Sequence, residues 1–363
     1  MKRIIALILS LVLAIVMLTA CGQGSTQTPP QGTPNETTGG TTNGGNGGNG
    51  GTAAGGALKT GLAVVTSLAS SKDAGEKDGL AQTDSTVVAV TVDADGKIVA
   101  CKIDAAQTKI NFSAEGKIVT PLDTVSKTKQ EKKEEYGMKK ASGIQKEWYE
   151  QADAFAAYVT GKTLAEVKGI ALNEEGAPSG AELTSSVTIH VTDLIAAIEK
   201  AVSNAQDLGA KAGDKLGLAV VTTIDDSTDA TADKDGLAQA YSTYAAVTFG
   251  ADGKITSSII DASQGKVNFN TSGKLTTDVK NAVVKTKNEL GEGYGMKKAS
   301  GIQKEWNEQA AAFAAYVTGK SAEEVKGIAL SEGKPADAEL SSSVTVHVTD
   351  FITVIEKASQ NAK

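Results

Sequence analysis

The stretches SSVTIHV (Ser185 to Val191) and SSVTVHV (Ser342 to Val348) contain the chain's two histidines, each two residues beyond a threonine. Read as short strands, they place Ser186, Thr188, His190 and Thr192 on one face and Val187, Ile189 and Val191 on the other. A hydroxyl beside an imidazole on an accessible face is either a modification or nucleophile pair, or the polar side of an edge strand. The helix expected to follow, opening near Thr192 and Asp193, would turn free N–H groups and a positive dipole end toward a phosphate.

Other chemistries find little support. There is no nucleophile elbow, phosphate-binding glycine loop, zinc signature or dinucleotide fingerprint, and a hydrolase would lack a nucleophile, base and orienting group. Two histidines in separate copies of a repeat cannot form a His-rich zinc site. The two cysteines, Cys21 and Cys101, give no internal disulfide once Cys21 is spent on lipid, and Ser258 stands where Cys101 does in the other copy.

The first residues read as a secretory signal, with Lys2 and Arg3 before an apolar run from Ile4 to Met17. Leu18-Thr19-Ala20-Cys21 resembles the lipobox of bacterial lipoproteins, which implies cleavage after residue 20 and lipidation of Cys21; two acyl chains there suffice for stable anchoring. Residues 21–56 are, after Cys21, almost all Gly, Thr, Asn, Gln, Ser and Pro, a tether reaching at most about 115–125 Å extended and about 30–35 Å relaxed. The expected location is the outer face of the cell membrane. Loss of Lys2 and Arg3 takes the formal net charge of -7 down by two, and such an acidic surface argues against nucleic acid as a partner. The lysine run Lys127, Lys129, Lys132, Lys133, Lys139 and Lys140 is mixed with Glu131, Glu134 and Glu135 and reads as a solvated helix face.

The elements that would position the Thr-x-His stretches occur twice. KDGLAQ at Lys77 returns at Lys234, and YGMKKASGIQKEW at Tyr136 returns unaltered at Tyr294. Two homologous domains, 57–206 and 214–363, follow, joined by DLGAKAG, each large enough for its own core. The first copy predicts a strand at LAVVTSL, a hairpin around Asp-x-Asp-Gly and a second around SAEG. Helices are expected over TVSKTKQEKKEEYG and IQKEWYEQADAFAAYVTG, the latter with Ile144, Trp148, Phe155 and Val159 on its buried stripe; SSVTIHV and DLIAAIEKAV close the copy. The fold class is α+β: two tandem homologous domains, each a twisted, mainly antiparallel sheet with helices on one side.

With GLAQTDSTVVAVTVDADGKI, the Lys-rich segment and the closing Ser-x-x-Thr stretch, each copy resembles the FMN-binding domains whose Thr receives FMN by a phosphoester bond from a flavin transferase. The family's acceptor pattern is Asp-x-x-Ser-Gly-Ala-Thr. Thr188 and Thr345 match the acceptor, and Ser185 and Ser342 match its Ser; Glu182 and Glu339 replace the Asp, Ser186 and Ser343 the Gly, Val187 and Val344 the Ala. The tethered two-copy layout is similar to pheromone-precursor lipoproteins of Gram-positive flavin-based extracellular electron transfer. The resemblance implies two covalent FMN groups, with Ser185, Ser186, Thr188 and His190, and Ser342, Ser343, Thr345 and His347, as cofactor-binding residues. It also implies an aromatic partner for the ring among Tyr136, Trp148, Tyr294 and Trp306, although Trp148, on an apolar helical stripe, suits a core position better, and phosphate contacts from Lys139, Lys140, Lys297 or Lys298, which read more simply as a solvated helix end. The protein would then be an electron carrier and no enzyme, taking electrons from a membrane dehydrogenase or quinol-linked flavoprotein to ferric iron or free flavins. The alternative is a tandem ligand- or wall-binding lipoprotein without redox activity, gaining avidity from duplication.

Overall fold

The computed structural model describes residues 56–363. The signal segment, the lipidation site Cys21 and the tether up to residue 55 lie outside the described residues. The β-branched runs of the first repeat form β1 (Ala57–Ser67), β2 (Gly79–Val92) and β3 (Ile98–Phe112), an antiparallel meander. Asp93 builds the β2–β3 turn: its Oδ1 accepts from Asp95 N at 3.0 Å and Lys97 N at 2.8 Å, and Gly96 supplies the left-handed residue at φ 76°. Five helices follow: α1 (Lys129–Lys132), α2 (Trp148–Val159), α3 (Leu164–Lys168), α4 (Ala181–Thr184) and α5 (Thr192–Ser203).

The joint DLGAKAG is itself structured. It forms β4 (Gln206–Lys211), which pairs with β1 and makes the first sheet four-stranded, in the order β3-β2-β1-β4. The second repeat gives β5 (Lys215–Thr223), β6 (Gly236–Phe249) and β7 (Ile255–Phe269), sheet order β5-β6-β7. Then come α6 (Lys287–Leu290), α7 (Trp306–Val317), α8 (Ala322–Lys326), the two-residue strands β8 (Leu330–Ser331) and β9 (Lys334–Pro335), α9 (Ala338–Ser341) and α10 (Thr349–Asn361).

The interior strands β2 and β6 are buried on both faces, and the period-two alternation decides which residue goes where. Val88, Val90 and Val92 of β2 face the helices with Trp148, Phe155 and Ile198. Their neighbours Val87 and Ala89 turn the other way and meet Leu216, Leu218 and Tyr244 of the second sheet. The second repeat repeats the helical layer around Trp306, Phe313 and Phe351. Toward one end Phe112 and Phe269 stack with centroids 4.2 Å apart. Residues 56–363 therefore pack as one compact unit, with one core per repeat and further clusters that both repeats share.

Reciprocal bonds lock the two copies. Ala74 N donates to Gly273 O and Ala230 N to Gly116 O, both at 2.8 Å. Asp229 Oδ1 accepts from Ile118 N and Asp73 Oδ1 from Leu275 N, again both at 2.8 Å. Gly116 and Gly273 are in the left-handed region, and a Cβ on either would collide with Ala230 or Ala74 across the joint.

Three sequence expectations are corrected. The hairpin around SAEG shrinks to the bridge Phe112–Ile118. The Lys-rich segment makes one α-helical turn and a 3-10 turn, Lys133–Tyr136, because Gly137 adopts φ 76° and ends it. SSVTIHV and SSVTVHV are not strands but the connections from α4 to α5 and from α9 to α10. Val187, Val191, Val344 and Val348 are fully buried, which produces the alternation. The backbone groups between them bond elsewhere: Val187 N reaches Leu183 O, and Val191 N reaches Gly176 O.

Candidate functional site

The identical block Tyr136–Trp148 folds back on the helix it precedes. Glu147, buried at 4 % exposure, accepts from Met138 N at 2.8 Å and Lys139 N at 3.1 Å; Glu305 does the same for Met296 and Lys297. Each glutamate thus clamps a loop whose far side is a cavity wall. Lys139, Lys140, Lys297 and Lys298 are exposed, and it is the amides of Lys139 and Lys297 that are used.

One turn into α2, on the same inward stripe as Trp148 and Phe155, stands the fully buried Gln151. Its Nε2 donates to Ser142 Oγ at 3.1 Å and Lys146 O at 3.2 Å. Its Oε1 accepts from Thr188 N at 2.7 Å, Thr188 Oγ1 at 3.1 Å and Ile189 N at 3.2 Å. Gln309 repeats this with Ser300 Oγ at 3.3 Å, Thr345 N at 2.8 Å and Thr345 Oγ1 at 3.2 Å. A buried amide with satisfied donors and acceptor is a rigid anchor. Here it replaces the strand neighbour that the Thr-x-His stretch lacks, and it fixes the threonine hydroxyl in place.

That hydroxyl lies in the lining of a cavity in both copies. In the first, of about 550 Å³, Thr188 and His190 are joined by Tyr136, Trp148, Lys129 and Gly143. In the second, of about 510 Å³, Thr345 and His347 meet Trp306, Lys287, Tyr241 and Gly301. Both fall in the range of roughly 300–1,000 Å³ usual for cofactor pockets. His190 and His347 are exposed at these cavities.

A lysine stands over the aromatic wall of each. Lys129 Nζ lies 4.8 Å from the Tyr136 ring and 5.1 Å from that of Trp148. Lys287 Nζ is 4.5 Å from Tyr294, 4.6 Å from Tyr241 and 4.8 Å from Trp306, with a 2.7 Å bond to the Tyr241 hydroxyl. Cation–π attraction holds both. Lys287 is 4 % exposed, and burial pulls its ammonium down to about 8. Lys129 is therefore no member of a solvated face. The lysines are set by buried aspartates behind them: Asp104 Oδ1 accepts from Ala105 N and Gln130 N, and Asp261 Oδ1 from Ala262 N and Asn288 N. Burial pushes Asp104 up to about 7 and Asp261 up to about 6.

The remaining expected residues sit apart from the cavities. Ser185 and Ser342 are exposed, and Ser342 Oγ donates to Glu339 O at 2.7 Å. Ser186 Oγ and Ser343 Oγ donate to Leu183 O at 3.1 Å and Leu340 O at 3.3 Å, closing the ends of α4 and α9. Glu182 accepts from the Tyr158 hydroxyl. Cys101 is half-buried, its thiol pushed up to about 12 by burial. Sequence reasoning passed over Gln151, Gln309, Glu147 and Glu305; the signal was a polar residue on or beside an apolar helical stripe, in both copies.

Among the described residues no cluster of His, Cys, Asp and Glu is arranged to hold a metal, and no helix is long and apolar enough to cross a membrane. No protein-family model, curated protein or solved structure matches the chain.

Proposed function

We propose that each repeat, 57–206 and 214–363, is an FMN-binding domain of a lipid-anchored extracellular electron carrier, with FMN esterified through its phosphate to Thr188 and Thr345 by a flavin transferase. The observation that carries this reading is the duplicated cavity: an anchored threonine hydroxyl, an imidazole, an aromatic wall and a lysine converge twice, from stretches that resemble the acceptor motif. The residues fit the group. Tyr136 and Tyr241, half-buried at the cavities, are the aromatic side chains placed to meet a ring, with Trp148 and Trp306 behind them in the cores at 6 % and 2 % exposure, while Lys129 and Lys287 offer positive charge. FMN, once attached, supplies reversible electron uptake.

The protein's own residues do the positioning. Gln151 and Gln309 hold the acceptor threonines, Glu147 and Glu305 hold the loops that wall the cavities, and His190 and His347 stand exposed at the rim. Electrons would arrive from a membrane dehydrogenase or quinol-linked flavoprotein and leave to ferric iron or free flavins. Covalent attachment suits a cell exterior, where a dissociable cofactor would diffuse away.

The test is flavin content. Thr188→Val and Thr345→Val proteins isolated from their native envelope should each keep half the flavin of the parent, and the double variant none. Full flavin retention in the double variant contradicts covalent attachment at these hydroxyls and favours a tandem module that binds its ligand reversibly.

A further inference from the structure

The two cavities are alike in their anchors but unlike in charge. The place on β6 held by Tyr241, whose hydroxyl bonds Lys287, is held on β2 by Asp84: the register pairs Thr223 with Tyr241 and Ser67 with Asp84 at the same point of the two sheets. Asp84 takes the side-chain amides of Gln82 and Gln107 at 2.7 and 3.0 Å. A second cation, Lys334, lines the second cavity; Ala177 stands at the corresponding place after Gly176. Lys287 is buried without a carboxylate in ion-pair contact, whereas Lys129 is half-exposed.

We propose that Lys287 and Lys334 make the second cavity the site of higher reduction potential, because they stabilise negative charge on a reduced ring there that Lys129, half-exposed and with Asp84 at the place of Tyr241, stabilises less. This rests on the flavin reading above. Two-electron reduction at neutral pH takes up fewer protons than electrons and leaves net negative charge on the ring, so a cation beside it favours the reduced form and a carboxylate disfavours it. Proximity and burial decide the balance. Asp225 and Asp226, in the β5–β6 connection, Asp261, on β7, and half-buried Asp350, at the start of α10, also act on this region; Asp225 and Asp226 are exposed, so solvent screens them more than it screens buried Lys287, while Asp261 and Asp350 have carboxylate counterparts in the first repeat, Asp104 and Asp193. Lys287 remains mostly protonated at pH 7 with its value at about 8, and a neighbouring negative charge raises that value. The difference favours electrons residing on the second repeat.

Spectroelectrochemical titration of the two single-acceptor proteins tests this. Flavin in Thr188→Val, confined to the second cavity, should be reduced at a higher potential than flavin in Thr345→Val. Adding Lys287→Met and Lys334→Ala to Thr188→Val should lower its potential toward that of the first cavity, and Lys287→Arg should preserve it. Should Lys287→Met fail to fold, Asp84→Tyr in the Thr345→Val protein remains decisive, since it should raise the first cavity's potential. Equal or reversed potentials, or a gap untouched by these changes, overturn the assignment while leaving the flavin reading standing. Absence of flavin from both single-acceptor proteins overturns the reading and the assignment together.

Discussion

On their helical sides the two repeats share the anchoring residues of the pocket: Gln151, Ser142, Trp148, Thr188 and His190 recur as Gln309, Ser300, Trp306, Thr345 and His347. Where the sheets meet, corresponding positions differ in size. Val87 has Tyr244 as its counterpart, both fully buried, and Gly265 answers Thr108; a Cβ at Gly265 would run into the Thr83 hydroxyl. The pocket demands one set of contacts in both copies, whereas the shared core demands complementary shapes, a small residue wherever the partner sheet presents a large one. Duplication was therefore followed by mutual fitting, and the repeats are halves of one folding unit.

Removing the largest of these shapes should have the largest effect. Tyr244→Ala empties a fully buried site and strips Ser263 Oγ of a 2.8 Å partner, and should cost about 3–5 kcal/mol. Chemical denaturation should still show one transition spanning both repeats. A separate transition for each repeat would contradict the shared core.

The buried aspartates offer the next contrast. Asp104 is raised from 3.8 to about 7 and Asp261 from 3.8 to about 6, so the folded protein retains protons that the unfolded chain has already released. Their stabilisation is complete below about pH 3.8 and is lost as pH rises through the folded values, a change of a few kcal/mol for the first repeat and less for the second. Urea melts from pH 4 to 8 should show stability falling across this range, and Asp104→Asn should flatten the fall more than Asp261→Asn. An equal response of the two variants would remove this difference between the copies.

Gln151→Leu should cost about 1–3 kcal/mol, since Thr188 N and Ser142 Oγ lose their buried partner. Its flavin loss, read by absorbance, should be confined to the first pocket, and Gln309→Leu should mirror it in the second. At the low end, Lys168→Ala breaks an ion pair to Glu199 of 2.6 Å whose side chains are 51 % and 43 % exposed. Thermal melting should register under about 1 kcal/mol, as it should for the counterpart pair Lys326–Glu356.

The strands, the Asp-x-Asp-Gly turn and most of the buried stripe of α2 were legible because period and turn chemistry are local properties, although Ile144, read as part of that stripe, lies half-buried ahead of the helix, which opens at Trp148. The joint 206–211 read as a spacer because nothing local reveals that β1 has an open edge awaiting it. The Thr-x-His stretches mimicked strands since Val187 and Val191 are buried, yet their amides are satisfied by a glutamine 37 residues away in sequence. Thr188, His190, Trp148 and Tyr136 could be named in advance, as types suited to a flavin. Lys129 could not be told from its charged neighbours, because only its placement over two rings sets it apart.

The central claim is a covalent flavin in each cavity. Intact mass and peptide mapping of protein taken from its native envelope address it most directly. The account predicts one FMN on the peptide containing Thr188 and one on that containing Thr345; unmodified peptides at both positions would contradict it.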